Sequence, residues 1–135
     1  MLDFNNPIDF YIASHSTKAW RRKYKNYLKQ VELVENDLIA CNGIENIKAQ
    51  VTPIINGVNS DNNDIRAENE DKFVDIIREL ASMEYYHYLN SDFEHKSALY
   101  KACIFADPVK DFQEDARLQY GLERIVEGAL YKIAE

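Results

Sequence analysis

Glu84, Tyr85, Tyr86 and His87 spell E-x-x-H, the spacing by which one bundle helix presents a carboxylate and an imidazole to a single metal ion. Both residues fall on the apolar face marked by Phe73, Ile77 and Leu80. A carboxylate-bridged di-iron centre needs a second such pair and two further inward-facing glutamates. His15 and His95 lie on separate segments, and Glu123 and Glu127 point away from the stripe of the last helix, so that ligand set is incomplete. The pair therefore reads as a buried hydrogen bond, or as a helix end that exposes His87, with no metal and no cofactor expected. Calcium is not expected either. Asn59, Asp61, Asn63 and Glu70 occupy oxygen-donor positions of an EF-hand loop, but Asp64 stands where its sharp turn needs glycine and Arg66 where an aliphatic residue belongs.

Catalytic groupings are missing. The chain has no G-x-S-x-G, no phosphate-cradling glycine loop and no H-E-x-x-H, and neither Cys41 nor Cys103 has a convincing His and Asp partner. Acid pairs such as Glu114 with Asp115, or Glu123 with Glu127, read as solvated helix faces. The expectation is a protein that is not an enzyme.

Binding chemistry has a stronger signal. Sixteen Lys and Arg against 23 Asp and Glu give a net charge of −7, yet residues 15–30 hold six of those bases and no acid, while residues 31–135 carry 10 bases against 21 acids. Such segregation marks either a contact surface for an anion or a partner for the protein's own acidic helices. On a helical wheel Lys18, Arg22, Lys25 and Lys29 cluster within about 60° of one another, with Arg21 at the flank. Cations spaced in this way can reach successive phosphates of a nucleic acid.

The helix that holds these bases has a second face. Trp20, Tyr24, Tyr27, Val31, Val34, Leu38 and Cys41 follow alternating steps of four and three, the seam of a coiled coil or bundle. That phase assigns the interleaved aromatics of WRRKYKNY to packing rather than to base stacking. The seam is expected to drive self-association, with the basic stripe on the opposite side.

Around this helix the chain reads as all-α, a single domain of four to five helices. Only four Gly and three Pro occur in 135 residues, too little punctuation for a β-rich domain. A short first helix would start at Asn6 and Pro7 and bury Ile8, Tyr11, Ile12 and His15. The long heptad helix spans about 17–41 and stops at Asn42 and Gly43. Pro53 should kink or end a weaker helix begun at Ile44, and Asn56–Asp64 should form a solvated loop. A further helix to Leu89 buries Phe73, Ile76, Ile77, Leu80 and Met83. Ser91 with Glu94 forms a capping box for a helix that turns Phe93, Tyr100 and Ile104 inward. Asp107 and Pro108 restart the chain into a last helix with the stripe Leu118, Leu122, Ile125, Val126, Ala129 and Ile133. Gly121 and Gly128 would let a neighbouring helix approach it closely. Cys41 and Cys103, without C-x-x-C spacing, read as reduced core residues. No long uncharged apolar run and no leader-like N-terminus suggest a membrane or secreted protein, and a cytoplasmic location is expected.

The segments STKAWRRKYKNYL and LQYGLERIVEGALYKIAE are similar in layout to phage recombination mediators of the UvsY kind. That resemblance implies a small helical oligomer working on single-stranded DNA. The expected function is a helical adaptor that presents its basic face to nucleic acid or to an acidic protein, of phage or mobile-element origin. Two other readings stand beside it: an acidic inhibitor or immunity-type protein that covers a basic partner such as a nuclease, and a structural subunit of a viral assembly.

Overall fold

The computed structural model describes residues 18–106 and 114–135. They form five helices and no strand: α1 Lys18–Asn42, α2 Ile44–Val58, α3 Asn63–Leu89, α4 Phe93–Ala106 and α5 Glu114–Ala134. The short helix expected at Asn6 and the Asp107–Pro108 restart lie outside the described residues.

Helix α5 is the axis of the bundle, in contact with each of the other four helices. Its Leu122, Ile125, Val126, Ala129 and Leu130 are fully buried. Side chains of the Leu and Ile class contribute roughly 1.5–3 kcal/mol each on complete burial, so this stripe is a major stabilising unit of the fold. Helices α2 and α3 form a hairpin on one side, while α1 lies along α4 and α5 on the other. Edge-to-face packing of Phe73 on Tyr131, with centroids 5.5 Å apart, joins α3 to α5, and Tyr27 against Phe105 at 5.9 Å joins α1 to α4.

Gly43 separates α1 from α2 with a φ of 81°, a conformation L side chains rarely adopt, and its N–H closes α1 on the Ile39 carbonyl at 2.8 Å. Pro53, by contrast, neither ends nor shortens α2, which continues to Val58. The ring is exposed, so water can serve the carbonyl that lost its intrahelical donor. The solvated loop is correspondingly short. Asn62 caps α3, its Oδ1 accepting from Asp64 N at 2.9 Å and from Ile65 N at 3.2 Å. Asn62→Ala should cost about 1 kcal/mol, seen as a lower urea midpoint with an unchanged slope, whereas Asn62→Asp should retain the midpoint.

Three local expectations are corrected. Asp92, not Ser91, caps α4, with its carboxylate accepting from His95 N at 2.9 Å; Ser91 Oγ instead donates to the His87 carbonyl. Hydrogen bonds from His95 hold the Asp92 carboxyl below its usual range. Phe93, the first residue of α4, is 83% exposed, and Met83 is exposed at the edge of the α3 face that buries Leu80, Ala81 and Glu84. Cys41 is exposed as well; only Cys103 is a core thiol, with burial pushing it up to about 12, which keeps it unreactive.

Candidate functional site

The basic residues come from the first three turns of α1. Lys18, Arg21, Arg22, Lys25 and Lys29 are all exposed, and none forms an ion pair among the described residues. From Lys18 to Lys29 the face runs about 16 Å along the helix. Cations elsewhere are more often matched: Lys72 pairs with Glu68, Arg78 with Glu123, Arg124 with Glu127 and Lys132 with Glu35. The acidic helices thus leave the stripe on α1 unneutralised.

The opposite face of α1 is occupied. Tyr27, Val31, Val34 and Leu38 are at most 6% exposed and belong to the core shared with the other helices of the same chain. Tyr24 is half-buried, and the side chain of Trp20 is outside the described set. Spacing alone assigned these residues to an oligomer seam. The structure corrects this, because α4 and α5 of the same chain fill it. Asn26 adds a hydrogen bond across that contact, donating to the Ala98 carbonyl at 2.9 Å.

A second cluster forms where α1 and α3 meet. Glu84 is 6% exposed and His87 follows one turn later at the exposed rim. The third member, Asp37, comes from α1. His87 Nδ1 donates to Asp37 Oδ2 at 2.9 Å and stands 3.9 Å from Glu84 Oε2, so the hydrogen bond expected between Glu84 and His87 is replaced by one from His87 to Asp37. Burial, then the hydrogen bond to Asp37 and the charge of that carboxylate, push the Glu84 carboxyl up to about 9. A protonated Glu84 therefore donates to Asp37 at neutral pH. Cys41, one turn beyond Asp37, points its thiol at Asp37 Oδ1 from 4.0 Å, and the charge of Asp37 raises it above its ordinary value.

Sequence reasoning found Glu84 and His87 and missed Asp37 and Cys41. The signal was present as a D-x-x-x-C step on α1, which places both side chains on one helix face. What pairs that step with E-x-x-H is the packing of two helices 50 residues apart.

No protein-family model matches the chain, and neither a curated protein nor a solved structure matches it.

Proposed function

We propose that the protein is a non-enzymatic helical adaptor that binds a polyanion, a nucleic-acid backbone above all, through the outward face of α1. The observation that carries this reading is the set Lys18, Arg21, Arg22, Lys25 and Lys29, exposed and without an ion pair among the described residues, on a protein otherwise rich in acid. Surplus acid on the remaining helices repels a polyanion elsewhere and directs it to this one stripe. Because the heptad seam is filled within the chain, self-association through it is no part of the proposal.

Fluorescence anisotropy with labelled single- and double-stranded DNA and RNA tests the reading. Four to five phosphate contacts give a log–log salt slope of about −3 to −4.5, so binding should weaken roughly 100-fold between 50 and 200 mM salt. The quadruple variant Lys18→Glu, Arg22→Glu, Lys25→Glu, Lys29→Glu should lose binding at both salt concentrations with its helical content unchanged. No binding of any nucleic acid by the wild type at 50 mM salt overturns the nucleic-acid form. Salt-sensitive capture of an acidic polypeptide, abolished by the same variant, would redirect the proposal to an acidic protein partner.

A further inference from the structure

Asp37, Glu84 and His87 form a grouping that a structural hydrogen bond does not explain well. Two carboxylates and an imidazole offer one donor atom each, all within 4.8 Å of one another. They come from α1 and α3, whose backbones hardly touch. Glu84 is more than nine-tenths buried and faces another carboxylate and a histidine ring. A buried carboxylate in such a place is tolerated only with a proton or a cation beside it.

The distances suit a small ion. Donors about 2.0–2.1 Å from a tetrahedral centre stand about 3.3 Å from one another. The His87–Asp37 separation of 2.9 Å and the His87–Glu84 separation of 3.9 Å bracket that value, so these two pairs reach it by shifts of about half an ångström, within a donor set no wider than 4.8 Å and in side chains of which two are at the rim. Cys41 is exposed, with its Sγ 4.0 Å from the other oxygen of Asp37; it lies outside the set of donors within 4.8 Å of one another and would complete a tetrahedral site by turning its side chain towards the ion. Magnesium and calcium favour six or more oxygen donors, whereas imidazole, carboxylate and thiolate together select a transition ion.

We propose that Asp37, Glu84 and His87 hold one divalent transition-metal ion of the zinc class, with Cys41 as the fourth ligand. On binding, the protons of the Glu84 carboxyl and the Cys41 thiol pass to solvent, and the ion takes their place between the ligands. The ion ties α1 to α3, two helices otherwise joined there only by side chains, and so fixes the helix that carries the basic stripe. The inference stands on its own geometry and does not depend on what that stripe binds.

The test uses full-length protein, stripped with a chelator and titrated with Zn2+ in a calorimeter, then with Co2+ in a spectrophotometer. One equivalent of Zn2+ should bind and raise Tm, millimolar Mg2+ should do neither, and Co2+ should give intense tetrahedral bands together with a sulfur-to-cobalt charge-transfer band. Glu84→Gln keeps the shape and the hydrogen-bond donor, so it should fold and yet bind Zn2+ more weakly than the 10- to 100-fold loss typical of an outer-shell partner. His87→Ala and Asp37→Asn should do the same, and Cys41→Ser should abolish the charge-transfer band. Absence of stoichiometric Zn2+ uptake overturns the proposal. So does unchanged affinity in Glu84→Gln and His87→Ala, which would place the ion elsewhere, and a wild-type Co2+ spectrum without the sulfur band removes Cys41 from the ligand set.

Discussion

Glu84→Gln is expected to stabilise the metal-free protein at pH 7 by on the order of 3 kcal/mol, a rise in Tm of about 10 °C. An unfolded chain leaves this carboxyl near its ordinary value of 4.5, whereas the folded protein pushes it up to about 9. Below pH 4.5 both states keep the proton, and ionisation of this group has no effect on folding. As pH rises from 4.5 towards 9, ionisation increasingly favours the unfolded state, by about 1.4 kcal/mol per pH unit, so the contribution of Glu84 to stability is complete in acid and lost with alkalinity. Glutamine removes the ionisation but still donates to Asp37. Melting curves in the presence of chelator should therefore coincide for the two proteins near pH 4.5 and diverge steadily to pH 9. Curves that stay parallel would mean that Glu84 is not buried against Asp37. With saturating Zn2+ the order should reverse, because the wild type alone retains the full ligand set, and this reversal separates a buried acid from a metal ligand.

The contrast between α1 and the cluster at its end shows what a linear sequence can express. The apolar phase of Tyr27, Val31, Val34 and Leu38 and the stop at Gly43 depend on neighbours within a few turns, and both are found in the structure. What fills the seam is a different matter, since α4 and α5 satisfy the same period as a second copy would. Pro53 shows the limit of a local rule: its cost depends on whether the freed carbonyl meets protein or water, and only the exposed side of α2 supplies water. Phase assigns Phe93 and Cys41 to the core, but phase does not report whether a neighbouring helix covers a position, and both are exposed. Apart from its four-residue step to Cys41, Asp37 carries no local mark of its role. Its partners Glu84 and His87 become neighbours only when α3 folds back past α1, and a carboxylate flanking a seam is otherwise an ordinary solvated residue.

Gly121 and Gly128 stand seven residues apart on α5 and should respond to the same substitution with opposite signs. A β-carbon added at Gly121 would lie 2.4 Å from Cys103 Cβ and 2.5 Å from the Cα and carbonyl oxygen of that residue. Two of those atoms are backbone, so no rotamer change can clear them, and α4 must move away from α5 along a contact that buries Ala102, Cys103 and Leu122 completely. Overpacking of this kind costs typically 1–3 kcal/mol and occasionally more, which exceeds the gain of about 1 kcal/mol from replacing glycine inside a helix. At Gly128 the same β-carbon meets Tyr27 Oη at 3.6 Å and Val31 methyl groups at 3.7 and 3.8 Å, ordinary contact distances. There the helix-propensity gain should prevail. Urea unfolding should thus place Gly128→Ala at or above the wild-type midpoint and Gly121→Ala well below it. Equal midpoints for the two variants would show that α4 and α5 are not packed backbone against backbone at Cys103. The same comparison explains why both glycines suit this helix while only one is obligatory: α5 contacts every other helix of the bundle, and the closest of those contacts leaves no room for even a methyl group.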